Sequence, residues 1–238
     1  MEDWILLLLV VWIASMLQTS TGYGFSIIGT PFLLIFYPAH TAIQINMILS
    51  LCISAVMIFR VRSELDKFLL IRLIKGSGVG LVLGLFLYLY SDVQWLKVSV
   101  GALILVSTVM LILKVSIKQT SHRDLIAGGI SGFLTTGIGV PGPPLLLYFA
   151  GTGTEKETLR STTLAYYLFV YSISLVLQIS FGGTAKEVWI SSLYALPALF
   201  IGILSGQLLF KWMNPQIFKT VTYIILLVTG LYLLVSRI

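Results

Sequence analysis

The sequence is a succession of apolar runs, several about as long as the roughly 20 residues a helix needs to cross a bilayer. No polar stretch between them is long enough to fold by itself. Hydrophobic residues make up 58% of the chain and charged residues 10%, with a mean hydropathy of +1.01, which leaves too few polar groups to cover a water-soluble surface. The expectation is an all-α polytopic membrane protein, a single integral domain over 1–238 with about eight hydrophobic segments. The first run, Trp4 to Thr21, follows Glu2 and Asp3 where a leader would carry basic residues, and it lacks a small-residue cleavage site, so it reads as mature structure. It is long enough to span alone or to form part of a re-entrant segment.

Two runs are interrupted in the same manner. Gly22-Tyr23-Gly24-Phe25-Ser26-Ile27-Ile28-Gly29-Thr30-Pro31 breaks the first, and Gly137-Ile138-Gly139-Val140-Pro141-Gly142-Pro143-Pro144 breaks another about a hundred residues later. Glycine frees the backbone and proline removes a donor, so both stretches should unwind a helix where lipid offers no hydrogen bonds; such backbone has to line a protein cavity. Paired interruptions in the two halves of a membrane chain point to a transporter's binding site. The halves correspond elsewhere too. Gly80, Gly84, Gln94 and Lys97 lie 122 positions before Gly202, Gly206, Gln216 and Lys219, and Gly22 and Gly24 lie 115 before Gly137 and Gly139. The alternative is a chance match within a narrow composition. Internal duplication predicts repeats at 1–115 and 122–238, each with one broken, re-entrant segment and three spanning helices, the last of them at Trp95 to Leu113 and Ile217 to Val235.

Charge sets the orientation and narrows the chemistry. Arg60, Arg62, Lys67, Arg72 and Lys75 in one loop and its flank, and Lys114, Lys118 and Arg123 at the midpoint, should be cytoplasmic. Lys186 and Glu187 balance in the counterpart of the first basic loop, so matching loops face opposite sides and the repeats are expected to be inverted. The net charge of +6 follows from this orientation and needs no nucleic acid. Arg72 and Lys75 should snorkel to the interface. All nine acidic residues fall at run ends or in loops, which argues against a cation path, since such paths carry ionisable groups within the membrane. Cys52 is a lone thiol in an apolar run, and His40 and His122 stand far apart, so no metal, cofactor or disulfide framework is expected. No catalytic motif appears, so the chain does not read as an enzyme. The interrupted regions instead hold hydroxyls, amides and helix N-termini, whose free N–H groups and positive dipole ends suit an anion.

The glycine pairs leading to proline before a short apolar helix, on a small duplicated membrane chain, resemble the TauE/SafE family of sulfite exporter-like transporters. That family's usual pattern is glycine, any residue, two glycines, four residues, then proline; this sequence keeps the first two glycines of each copy and replaces the third with Phe25 and Val140. The resemblance covers nearly the whole chain and implies a multi-pass transporter of the cell membrane (plasma or inner) that moves sulfite, a sulfonate or a related sulfur-containing anion. The candidate substrate-binding residues are Gln18, Ser20, Gly22, Tyr23, Gly24, Ser26 and Pro31 in the first copy and Thr135, Gly137, Gly139, Gly142 and Pro144 in the second. Asn46, Thr162 and Thr163, polar groups in the flanking spans, would form the other wall. Side chains added at Gly24 and Gly139 are expected to block transport without harming the fold, whereas Gly80, Gly84, Gly202 and Gly206 read as helix-packing surfaces. The expected partners are the small anion and the lipid bilayer, with a homo-oligomer as an open assembly. Transport of another small solute such as an amino acid, and a non-transporting scaffold subunit, are the other functions the residues allow.

Overall fold

The computed structural model describes residues 2–91 and 116–212, together with positions 98, 102, 105, 106, 109, 110, 113, 220, 224 and 227. The runs expected at 95–113 and 217–235, and the pairing of Gln94 and Lys97 with Gln216 and Lys219, fall outside the continuously described segments. The described residues form eight α-helices: α1 (Glu2–Thr21), α2 (Gly24–Phe36), α3 (Ala39–Val61), α4 (Lys67–Tyr90), α5 (Ser121–Ile138), α6 (Gly142–Thr152), α7 (Lys156–Gly182) and α8 (Lys186–Trp212). Five of them, α1, α3, α4, α7 and α8, are long and apolar enough to cross a membrane; α2, with 13 residues, is not. Their outward faces carry large apolar side chains such as Phe59, Phe68, Val79, Leu193 and Leu204, as lipid contact requires.

Local chemistry sets several boundaries. The Asp66 carboxylate accepts the Leu69 N–H at 2.9 Å and opens α4, and the Thr120 hydroxyl accepts the Arg123 N–H at 3.3 Å to open α5. Gly139 closes α5 in the left-handed conformation with φ +74°, its N–H reaching the carbonyls of Leu134 and Thr135. Gly22, with φ +91°, serves the same purpose between α1 and α2.

The first break is a reversal. A Cβ on Gly24 would stand 2.6 Å from the Leu17 Cβ, which requires α2 to fold back on the last turn of α1. The far ends of this hairpin return to one place: Trp4 packs edge-on against Tyr194 at 5.3 Å, and the Tyr37 hydroxyl donates to Ser191 at 3.1 Å, one turn away on α8. The second hairpin closes in the same way. Near the start of α5 the Tyr148 hydroxyl of α6 bonds the Asp124 carboxylate, and the Ile117 N–H reaches the Gly151 carbonyl at 2.8 Å.

The two halves exchange partners. The fourth helix of the first half, α4, lies along α5, and the fourth of the second half, α8, lies along α1. Glycines make both approaches close enough for backbone contact. Cβ atoms on Gly80 and Gly84 would strike the carbonyls of Gly129 and Phe133; on Gly202 and Gly206 they would strike those of Trp12 and Met16. Residues 12 and 129, and 16 and 133, are each 117 apart, and the glycines that meet them are 122 apart, so the two interfaces repeat the same contacts. The left-handed Gly22 and Gly139 are also 117 apart, which moves the register of the breaks by two residues from the 115 that the paired glycines suggest. A spacing pattern aligns like letters; the fold aligns the positions that need positive φ.

Chain direction is inverted between the halves. Arg60 of α3 bonds Gln207 of α8, and the Asp66 N–H donates to Thr162, so the ends of α3 and α8 and the starts of α4 and α7 share one end of the molecule. Gly182 packs on Tyr88 and the Gly183 carbonyl accepts from Gln44, which puts the end of α7 and the start of α8 at the other. Because α1 runs alongside α8 and α5 alongside α4, α1 and its counterpart α5 point in opposite directions. Arg60, Arg62, Lys67, Arg72, Arg123, Lys156 and Lys211 gather at the first of these ends, called here the basic end.

Candidate substrate site

The first turns of the two short helices meet inside the bundle. A Cβ on Gly142 would lie 2.9 Å from the Tyr167 hydroxyl and 3.4 Å from both Ser26 Oγ and Tyr23 Cβ, so only a bare glycine lets α6 start against α2 and α7. Around this point every side chain is buried: Tyr23, Ser26, Asn46, Ser50, Thr163, Tyr167 and Tyr171 are at most 2% exposed. Tyr167 and Tyr171 stack edge-on at 5.1 Å, and the Tyr171 hydroxyl faces Ser26, Ser50 and Asn46. The Asn46 amide is oriented by donating to the Gly139 carbonyl at 2.8 Å, which ties α3 to the second break.

Buried polar groups are ordinarily bonded, yet several here are not. Ser50 Oγ, Thr163 Oγ1, the hydroxyls of Tyr167 and Tyr171, and Asn46 Oδ1 make no well-formed hydrogen bond among the described residues, although Tyr171 lies close to Ser26, Ser50 and Asn46 and Tyr167 close to Ser26. The helix starts add further donors. No side chain caps α2, which leaves the N–H groups of Gly24, Phe25 and Ser26 for a ligand. At α6 the cap is Pro141 and the next residues are Gly142, Pro143 and Pro144, so only Gly142 has an N–H to offer. Both dipoles are positive at the meeting point, but α2 supplies most of the hydrogen bonds. Among the described residues no acidic side chain belongs to this group, and the arrangement can hold a small oxyanion by hydroxyl and amide donors.

Comparison with known families decides the membership. The family model described as sulfite exporter TauE/SafE matches residues 7–233 of the 238. The chain belongs to the TauE/SafE family. Comparison with curated proteins and with solved structures gave no match.

The TauE/SafE chain brings together part of the sequence-derived set. Tyr23, Ser26, Asn46, Gly142 and Thr163 converge on the meeting point, with Gly22 and Gly139 as the left-handed hinges beside it. Gln18 is adjacent, its amide donating to the Ser50 carbonyl at 3.1 Å and its Oε1 unpartnered. The hydroxyls of Ser20 and Thr135 are turned onto their own helices, to the carbonyls of Leu17 and Ser131. Others face elsewhere. Gly137 packs against Leu87 of α4, Thr162 accepts the Asp66 N–H in the connection to α4, Pro144 borders an apolar cavity with Ile126, Ile130 and Leu147, and Pro31 lies two turns into α2. Gly24 presents its Cα to Leu17 of α1, so a side chain there disturbs the hairpin itself, contrary to the expectation of an undisturbed fold.

Sequence reasoning passed over Ser50, Tyr167 and Tyr171. Their signal is periodicity: Thr163, Tyr167 and Tyr171 recur four apart on one face of α7, and Asn46, Ser50 and Ser54, each 117 earlier, do so on α3. All six are buried, and each has a side-chain oxygen without a partner. Arg72 also differs from its expectation. It pairs at 2.6 Å with Asp124, which is fully buried at the start of α5, so Arg72 is anchored to a neighbouring helix.

Proposed function

We propose that this protein is a secondary transporter of a small anion, with sulfite, a sulfonate or a related sulfur oxyanion as the substrate class. The anion would be held where the first turns of α2 and α6 meet. The observation that carries this reading is the cluster of buried, unpartnered hydroxyls on α3 and α7 facing two uncapped helix starts. A scaffold gains nothing from donors left unsatisfied in a low-dielectric interior, because each costs desolvation free energy until a ligand bonds it. The full burial of the site makes this a closed conformation. Entry therefore requires the hairpins to move against α3 and α7, and the inverted halves offer two equivalent ways of opening, one towards each face. Net movement would follow the anion's own gradient or a proton carried on the substrate. The basic end would face the cytoplasm of the cell membrane in which the chain lies.

Removing single hydroxyls tests the site without altering packing. Tyr167→Phe and Tyr171→Phe keep the rings and lose only a donor. Uptake of labelled sulfite into proteoliposomes should fall in each by about tenfold, the weight of one hydrogen bond to a charged ligand, while the protein runs normally on gel filtration. Wild-type uptake in both variants would remove this cluster from the transport path.

A further inference from the structure

One cation lies far deeper than snorkelling explains. Arg160, in the second turn of α7, is 7% exposed. Its Nε–H donates to the Thr19 carbonyl at 2.7 Å in the last turn of α1, and its guanidinium lies on the Phe210 ring at 4.1 Å from the centroid. The nearest acidic group on its own helix, Glu157, is partly exposed and lies 3.6 Å from Lys156; its charge reaches Arg160 through space without forming an ion pair with it. Among the described residues neither Nη of Arg160 has a protein acceptor, and no carboxylate pairs with it. A buried charge without a directly paired carboxylate is costly, and a planar guanidinium fork matches two oxygens of one oxyanion.

Its position relates this charge to the substrate site. The Arg160 backbone closes on Gly22, where an added Cβ would sit 3.0 Å from its Cα, and Thr163, Tyr167 and Tyr171 continue along the same face of α7. The uncapped N–H groups of α2 open towards the same end, because N–H bonds point to a helix's N-terminus. The symmetry-related position, 117 residues earlier, is Ile43, which packs on Gly139 as Arg160 packs on Gly22. Among the described residues, that helix start offers only the Gly142 N–H, and the position matching Arg160 holds no cation.

From this asymmetry we infer that Arg160 binds the anion by its free Nη edge at the basic-end approach to the site. It would pass the anion along Thr163 and Tyr167, and it makes the two symmetry-related approaches chemically unequal. This inference rests on the anion-transporter reading and assigns that reading a specificity-determining residue.

The test is the concentration dependence of labelled sulfite uptake into proteoliposomes for wild type, Arg160→Gln, Arg160→Lys and the control Ile43→Val. Arg160→Gln should raise the half-saturating concentration by about ten- to a hundredfold, the loss of hydrogen bonds to a charged group, with a maximal rate within a few-fold of wild type. Arg160→Lys keeps the charge and loses the fork, so its half-saturating concentration should rise at least about threefold, and Ile43→Val should change little. An unchanged half-saturating concentration in folded Arg160→Gln, or a fall in maximal rate alone, makes Arg160 a structural clamp between α1 and α8. If Arg160→Gln does not fold, an unchanged value in Arg160→Lys overturns the inference equally. Normal Arg160→Gln beside a defective Tyr167→Phe sinks this inference alone, whereas a wild type that takes up no anion sinks the transporter reading with it.

Discussion

At the scale of the residue, burial alone does not separate the groups proposed to bind from those that brace. Asp124 is the clearest brace: its buried carboxylate accepts the Tyr148 hydroxyl and stands 2.6 Å from Arg72, so it joins α4, α5 and the end of α6. The Arg72 approach is close without being aligned as a hydrogen bond, and the Arg72 side chain is a third exposed, so the pair is weaker than a fully buried one. Asp124→Asn should lower stability by about 2 kcal/mol, read as an earlier thermal transition in detergent, while sulfite uptake persists. Complete loss of uptake in a folded Asp124→Asn protein would place the carboxylate in the coupling path and end the view that no acidic side chain takes part. The sequence made Asp124 look like a loop residue, because charge beside an apolar run says where a helix begins but not what packs over its first turn. Tyr167 and Tyr171 were illegible for the opposite reason. A tyrosine in an apolar span reads as core, and only the neighbours from α2 and α3 show that its hydroxyl is left without a partner.

At the scale of the element, glycine decides how near two helices come. Gly78 and Gly80 share the middle of α4, yet a Cβ on Gly78 meets nothing within 4 Å and one on Gly80 meets the Gly129 carbonyl of α5. Gly80→Val should therefore cost about 2 kcal/mol by forcing two backbones apart, whereas Gly78→Val, pointing away from the interface, should leave the unfolding temperature nearly unchanged. Equal effects would mean that the α4–α5 interface does not depend on backbone contact. The same reasoning assigns Gly24→Val to folding, because α2 closes directly on Leu17. The packing glycines were legible from their spacing of four, a helical property readable along the chain. The hinge register was not. Gly22 and Gly139 are equivalent by backbone conformation, and the intervening Gly-x-Gly pattern drew the alignment two residues away.

At the scale of the whole molecule, the charge asymmetry and the chain directions make one argument. Each helical hairpin enters the bundle and returns to the end where it began, so α3 starts where α1 starts and α7 starts where α5 starts, with the two pairs at opposite ends. The chain leaves α4 at one end and begins α5 at the other, so the second half is inverted, which was legible from the opposed charge of matching loops because arginine and lysine distribution reports sidedness. The re-entrant form of each broken segment was legible from its glycines and proline, whereas whether the first run crosses by itself was not, since α1 alone is apolar and long enough to do so. The geometry puts exposed Tyr90 and Thr184 at one end and exposed Ser63 at the other. In a Cys52→Ala background, cysteines at Tyr90 and Thr184 should react with an impermeant thiol reagent added outside intact cells, and one at Ser63 should react only after permeabilisation. Swapped accessibility would keep the fold and reverse the assignment of the basic end to the cytoplasm. Labelling of Tyr90→Cys and Thr184→Cys from different faces would break the inverted arrangement, and with it the two equivalent openings proposed for access to the buried hydroxyls.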